Sequence, residues 1–204
     1  MHLLPTSEEV VGVLRETGAL RDGHFAYPNG LHSNEYLQVP LAMRFYDKAK
    51  MLSVALSRKL RANSEIRASI PQLSIVAPAT GGLPVAYGVC EALQARRVYW
   101  AERENATGPQ RFRQYIEPKP GEQVMLVDDI LRSGRNLKEL KGILESFGAE
   151  VVGLAVVVYQ PTPETHDFGK LPLYYLAKLD ATFSASAENC ALCKGGSPFE
   201  KVWI

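Results

Sequence analysis

An α/β fold with a doubly wound, mostly parallel sheet is what this sequence predicts, and three observations lead there. Apolar runs such as Val124-Met125-Leu126-Val127 and Val151 to Tyr159 lack polar alternation, as expected of strands covered on both faces. Helical patterns stand between these runs, and a β-α-β-α order with right-handed crossovers gives a parallel sheet. Glycine-containing turns follow two of the strands, at Pro78-Ala79-Thr80-Gly81-Gly82 and Arg132-Ser133-Gly134-Arg135-Asn136, on the side where such sheets bind ligands.

A chain of 204 residues fills one well-buried core, a single domain over residues 1–204, with room for a small appendage. A formal net charge of +1 makes no global case for a nucleic-acid or membrane partner, so any anion site must be local. No apolar run approaches the roughly 20 residues that span a bilayer, and Met1 to Glu9 lacks the order of a secretory signal. The expected compartment is the cytoplasm. The cysteine count of three is odd, makes no disulfide framework, and is expected to stay reduced.

Taken in order, Thr6 and Glu9 have capping-box spacing ahead of Val10, Val11, Val13 and Leu14, which predicts a first helix ending near Gly18. Phe25 to Tyr27 and Leu31 to Leu37 flank the turn Pro28-Asn29-Gly30 and read as a hairpin outside the main sheet. A helix with a broad apolar face follows from Asp47 to Ala62. Ser74 to Ala77 is a short strand and Leu83 to Leu93 a helix. Adjacent Gly81 and Gly82 between them let the backbone approach a ligand with no Cβ in the way, as a pyrophosphate cradle requires.

Val98 to Ala101 is the next strand, with Glu102-Arg103-Glu104 at its carboxyl end. Asn105 to Tyr115 contains Gly108-Pro109 and no sustained apolar period, and reads as a loop or loose hairpin carrying Arg111 and Arg113. The run from Val124 then ends in Asp128 and Asp129, followed by a turn and a helix from about Asn136, a favoured N-cap, to Phe147, with Gly148 as its stop. Free N–H groups at that helix start hold phosphate, and Arg132 and Arg135 add positive charge. Two adjacent acids on a buried strand end are costly without a ligand or cation, which favours a functional role. Val151 to Tyr159 and Leu173 to Leu179 complete the sheet. Near the end, Cys190-Ala191-Leu192-Cys193 has the spacing of half a zinc knuckle. A closed site needs four ligands, and neither Cys90 nor His166 completes a set, so the pair is expected to be a reduced tail segment packed on the hairpin subdomain.

The stretch from Val124 to Asn136 resembles the phosphoribosyl-pyrophosphate (PRPP) motif of the type I phosphoribosyltransferases. Gly18-Ala19-Leu20, Gly23-His24-Phe25, Gly30-Leu31-His32-Ser33, Tyr36-Leu37-Gln38, Pro78-Ala79-Thr80-Gly81-Gly82, Ala101-Glu102-Arg103-Glu104 and Cys190 to Gly195 occur in the order seen in orotate phosphoribosyltransferases of the type found in Thermus-like bacteria. This resemblance implies the type I fold with a small hood, formed by residues 1–45 together with the C-terminal tail. It implies transfer of phosphoribosyl from PRPP to orotate in pyrimidine biosynthesis, with orotidine 5′-monophosphate and pyrophosphate as products, in a homodimer. By the same resemblance, Asp128, Asp129 and Arg103 are catalytic. Ala79, Thr80, Gly81, Gly82, Arg132, Ser133, Gly134, Arg135 and Asn136 bind PRPP, and Arg111 and Arg113 sit on a closing loop. His32, Ser33 and Tyr36 face the base. Mg²⁺ is held through the substrate, with no direct protein ligand.

Three departures stand against this pattern. The phosphate loop, usually Thr-Thr-Gly-Gly-Thr/Ser, here carries Arg132, Arg135 and Asn136. The Asp-Arg pair common after the strand ending at Tyr159, whose arginine meets the orotate carboxylate, is replaced by Gln160-Pro161, and Pro28-Asn29 stands in the hairpin turn. They leave two alternatives open: a phosphoribosyltransferase for another base, and a non-catalytic nucleotide-binding regulator of the same fold.

Overall fold

The structure is a computed structural model and describes residues 4–105 and 108–202. In chain order the elements are α1 (Ser7–Glu16), β1 (Leu20–Ala26), β2 (His32–Leu37), α2 (Pro40–Met43), α3 (Tyr46–Ala62), α4 (Ser64–Ser69), β3 (Ser74–Pro78) and α5 (Gly82–Leu93). They continue with β4 (Arg97–Arg103), β5 (Gln110–Phe112), β6 (Gln123–Leu131), α6 (Arg135–Ser146), β7 (Glu150–Tyr159), β8 (Leu173–Lys178), β9 (Phe183–Ser184), α7 (Ala191–Lys194) and β10 (Glu200–Lys201).

The larger sheet has the order β5-β4-β3-β6-β7-β8, parallel throughout except for β5, which runs antiparallel on the β4 edge. Its central strands are buried on both faces because they alternate between two cores. Met125 and Val127 of β6 join Leu52, Leu56 and Leu60 of α3 and Val85 and Leu93 of α5. Val124 and Leu126 turn the other way, onto Leu137, Leu140 and Leu144 of α6. This two-sided covering is the reason β6 has no polar alternation.

Local chemistry sets the helix ends. Thr6 Oγ1 accepts from the Glu9 N–H at 3.2 Å while the Glu9 carboxylate accepts from the Thr6 N–H at 2.8 Å, so the predicted capping box starts α1. Gly148, at φ +74°, closes α6 through hydrogen bonds from its own N–H to Glu145 O and from Ala149 N–H to Leu144 O. The start of α6 differs from expectation: Gly134 at φ +75°, not Asn136, is the N-cap, and the helix begins at Arg135. A side chain there has no room, since a Cβ on Gly134 would lie 3.1 Å from Phe168 Cε2 and 3.3 Å from Leu131 Cδ1. Asn105 to Tyr115, expected as a loop or loose hairpin, includes the hairpin strand β5, which pairs Arg111 with Glu102 and Phe112 with Ala101, while residues 106 and 107 lie outside the described residues. Helices α2 and α4 were not apparent in the apolar pattern. Each is a turn or so long and is set by a terminal residue, Pro40 in the first turn of α2 and Asn63 capping the Glu65 and Ile66 N–H groups of α4.

The second, smaller sheet has the order β10-β1-β2-β9 and draws its strands from both ends of the chain. Strands β9 and β10 are two residues each, β9 antiparallel to β2 and β10 parallel to β1. Among the described residues, no helix is long and apolar enough to cross a membrane.

Candidate active site

The chain runs β3 to β4 in one direction across the larger sheet and then returns to place β6 on the other side of β3, which makes the gap between β3 and β6 the topological switch point. Ligands of open α/β sheets bind beyond the strand carboxyl ends at this point. Strand β6 pairs with β3 only as far as Leu126, then continues beside β7 through Asp128 and Asp129 to Leu131. The acids therefore stand over the turn that leaves β3.

That turn is in contact with them. A Cβ built on Gly81 would lie 3.0 Å from Asp129 Oδ2, and one on Gly82 would lie 3.0 Å from Asp128 Oδ1. Glycine at both positions is thus a steric condition for bringing the turn beneath the acid pair. The Ala79–Thr80 peptide in the same turn is cis. Asp128 Oδ1 accepts from the Asp129 N–H at 2.9 Å, and Asp129 Oδ1 accepts from the Ile130 N–H at 2.8 Å. Burial and the neighbouring Asp129 charge push the Asp128 carboxyl well above its ordinary range. Burial raises Asp129 as well, opposed by its hydrogen bonds and by the Arg132 charge. Among the described residues no lysine or arginine forms an ion pair with either acid at 4 Å or less. An acid pair of this kind, with Asp128 buried and Asp129 half-buried, is complementary to a cation or to hydroxyl donors.

The predicted phosphate loop lies next to the acids, at the start of α6. Arg132 does not fill it. Its Nε donates to Gln160 Oε1 at 2.9 Å, and its guanidinium carbon lies 4.9 Å from the Phe183 ring centre and 5.7 Å from that of Tyr27. Ser133 Oγ accepts a long bond from the Arg135 N–H at 3.4 Å, and Arg135 is exposed, its charge acting on Glu139. The loop is buttressed from outside by Thr165, whose hydroxyl donates to Arg132 O at 2.6 Å, and by His166, whose N–H donates to Ser133 O at 2.9 Å.

Several expected residues are placed elsewhere. Arg103, expected at pyrophosphate, is tied to Glu139 of α6 at 2.5 Å and to Asn136 Oδ1 at 3.1 Å, and also donates to Gly108 O. Burial raises the Glu139 carboxyl, but the Gln110 N–H and Arg103 more than offset it and hold it charged. Asn136 is correspondingly a partner of Arg103, not a cap. Arg111 and Arg113 are exposed and pair with Glu104 and Glu102, as a solvated charged hairpin does.

The hairpin candidates divide between the two faces of the smaller sheet. Residues directly opposite in a sheet share a face, so Ser33 and Phe183 lie on one face of the smaller sheet and His32 and Ser184 on the other. Phe183 is the one that meets Arg132. His32 is on the reverse face, with its Nδ1 2.9 Å from His24 Nε2. Ser33 is buried and accepts from the Glu35 N–H, while Tyr36 packs on Phe25 and donates to Gln38. The residues actually gathered near Arg132 are Tyr27, Phe183 and Gln160. The first carries a buried hydroxyl with no hydrogen-bond partner in the described structure. Gln160 is singled out in the sequence by its position after the strand ending at Tyr159, whereas Tyr27 and Phe183 have no signal there beyond their type, Phe183 reaching this place only through strand pairing.

Fold and site together define the class: a doubly wound α/β protein whose polar centre lies at the switch point of its parallel sheet. The model of the phosphoribosyl transferase domain family matches residues 45–170. An orotate phosphoribosyltransferase of Carboxydothermus hydrogenoformans is 37% identical over 186 residues, 91% of this chain and 92% of the relative. One of Thermotoga maritima is 34% identical over 189 residues, 93% and 94% of the two chains. The solved orotate phosphoribosyltransferase of Aeropyrum pernix has the same fold, with a TM-score of 0.64 at 20% identity over 83% of this chain and 93% of that one. The chain belongs to the phosphoribosyltransferase family, in its orotate phosphoribosyltransferase branch.

Proposed function

We propose that this protein transfers the phosphoribosyl group of PRPP to orotate, releasing pyrophosphate and orotidine 5′-monophosphate. The observation that carries this reading is the contact of Gly81 and Gly82 with the carboxylates of Asp129 and Asp128, which joins the pyrophosphate turn and the acid pair into one site. In the reaction the bond from the anomeric carbon to pyrophosphate breaks as the bond to the orotate nitrogen forms, through a transition state with oxocarbenium character. Asp128 and Asp129 accept hydrogen bonds from the ribose hydroxyls and lie beside the developing positive charge. The N–H groups of the Ser133 to Asn136 turn hold the 5′-phosphate, and the Ala79 to Gly82 backbone takes the pyrophosphate. Holding both reactants in line supplies the rest of the acceleration.

Mg²⁺ would fit this site, since Asp128 and Asp129 form no ion pair among the described residues, and it would supply neutralisation of the pyrophosphate charge while held mainly through the substrate. The orotate carboxylate also needs a cation. Arg132 stands beside Gln160, the position after β7, so the guanidinium arrives from the end of β6 instead of from β7. Tyr27 offers its unpaired hydroxyl to the base, and Phe183 its ring. On this reading the smaller sheet is the hood, residues 1–45 with the C-terminal tail, and the whole chain is one catalytic unit. We further infer a cytoplasmic homodimer, for which exposed Tyr46 and Tyr87 on α3 and α5 offer apolar contact.

The test is turnover with millimolar PRPP, orotate and Mg²⁺. Formation of nucleotide and pyrophosphate supports the assignment. Pyrophosphate release with another base but not with orotate would favour the second reading, a different acceptor, which Gln160 in place of an arginine recommends. Binding of nucleotide without any turnover would favour the regulator.

A further inference from the structure

On the reverse face of the smaller sheet, four side chains from three separate segments converge. His24 lies on β1, His32 on β2, Cys190 just before α7 and Cys193 within it. One ligating atom from each lies within 4.8 Å of the others, and three of the four residues are buried. We propose that these residues form a structural zinc site of Cys₂His₂ type, which fastens the C-terminal tail to the hairpin. It is independent of the reaction proposed above and of the magnesium bound with substrate.

The distances fit a tetrahedron. Cys190 Sγ is 3.4 Å from His24 Nε2, and Cys193 Sγ is 3.5 Å from His24 Nε2 and 3.4 Å from His32 Nδ1. With Zn–S near 2.3 Å and Zn–N near 2.0–2.1 Å, a tetrahedral site has sulfur-to-nitrogen edges of about 3.6 Å. The His24 to His32 edge, at 2.9 Å, is a few tenths of an ångström short of its tetrahedral value of about 3.3 Å, a shift that ring rotation accommodates.

A second observation concerns tautomers. His24 Nδ1 lies 3.0 Å from Ser197 O, an acceptor only, so Nδ1 carries a proton, and in the neutral imidazole that a metal ligand must be, Nε2 presents its lone pair to the cluster. Three groups then crowd that single lone pair: His32 Nδ1 and both thiols. That lone pair can accept from one of them, while the Cys190 sulfur also draws hydrogen bonds from the Cys193 and Leu192 backbone and from Ser184, as a thiolate ligand does. A cation at the centre satisfies all, with the thiols as thiolates and the two imidazoles neutral. The Phe199 ring lies edge-on to both imidazoles, at 5.6 and 5.3 Å between centres, and covers the set with apolar surface.

The architecture needs such a fastening. Strands β9 and β10 are two residues long, too short to hold the tail by ladder hydrogen bonds alone, and Cys190 is 166 residues from His24 in the chain. Two thiolates and two imidazoles with no oxygen donor select zinc over magnesium or calcium.

Protein expressed in zinc-supplemented medium and purified without chelator, under reducing conditions, is expected to carry about one zinc per chain by elemental analysis. Cobalt exchanged for it is expected to give the intense visible bands of a tetrahedral thiolate site. Cys193→Ser and His32→Ala should each lower the zinc to about a tenth or less with far-ultraviolet circular dichroism retained, and Lys194→Ala should leave it unchanged. Should either variant fail to fold, the cobalt spectrum of the unaltered chain decides. A wild-type chain that holds no stoichiometric zinc even after reconstitution, zinc that persists in both variants, or a Cys190–Cys193 disulfide with no cobalt spectrum would overturn the proposal.

Discussion

The two sheets of this protein are held together in opposite ways. The larger one is built from contiguous strand-helix units, with β6 and β7 paired over most of their length and buried on both faces. Its polar centre is assembled from two turns that leave neighbouring strands. The smaller one takes β1 and β2 from the start of the chain and β9 and β10 from its end, and its polar cluster joins residues that lie far apart in sequence. In the first region the core positions the site; in the second the proposed zinc site joins strands from the two ends of the chain, on a sheet whose Leu20 and Leu37 pack into the main core.

The sharpest way to break this comparison is at the acid pair. Asp129→Asn should lower kcat/KM by about 10²-fold or more, as loss of a preorganised charge at the reacting centre does, while leaving the melting temperature of the substrate-free protein unchanged or higher. A comparable loss in His32→Ala, on the face of the smaller sheet turned away from Arg132, would show that the division of labour is wrong. Arg132→Ala is the next largest. Removing a charged hydrogen bond to the base should raise the KM for orotate about 10- to 100-fold, with the KM for PRPP little moved. A proportionate rise in both would place Arg132 at the phosphate instead.

The pH dependence of stability distinguishes the regions as well. Burial and the Asp129 charge raise the Asp128 carboxyl above its ordinary 3.8, so the folded state holds that proton more tightly than the unfolded one. The corresponding stability is fully present below about 3.8 and is lost as pH rises through the raised value. Substrate-free wild type should therefore lose stability relative to Asp128→Asn as pH increases from about 4, and the gap should stop widening once Asp128 has ionised. The smallest effect is expected at Arg103. Its partly exposed pair with Glu139 is worth about 1 kcal/mol or less, so Arg103→Ala should lower the melting temperature by a few degrees and turnover by far less than Asp129→Asn.

This contrast also explains what the sequence made legible. Every strand of the parallel sheet and each long helix was visible as an apolar period, because period and burial are the same fact there. The acid pair and the glycine turn were visible because residue type and position beside a strand specify them locally. The direction taken by Arg132 was not visible, since it depends on Gln160 and Phe183, which reach it only through the pairing of β6 with β7 and of β2 with β9. The engagement of Arg103 by Glu139 likewise depends on how α6 packs against β5, where Gln110 N–H donates to Glu139 and the Gln110 side-chain amide to Asn136 O. The Cys190–Cys193 spacing was noticed, but its partners His24 and His32 lie at the other end of the chain, and no local signal joins them.

The central claim is that Asp128 and Asp129 form one site with the Gly81-Gly82 turn and take a phosphoribosyl pyrophosphate. Calorimetric titration of PRPP with Mg²⁺, repeated in buffers of different ionisation enthalpy, tests it most directly. The account predicts saturable binding, accompanied by proton release at pH values low enough for the raised Asp128 carboxyl of the free protein to hold its proton, with that release lost in Asp128→Asn. Absence of binding, or binding with the same proton release in Asp128→Asn, would contradict it.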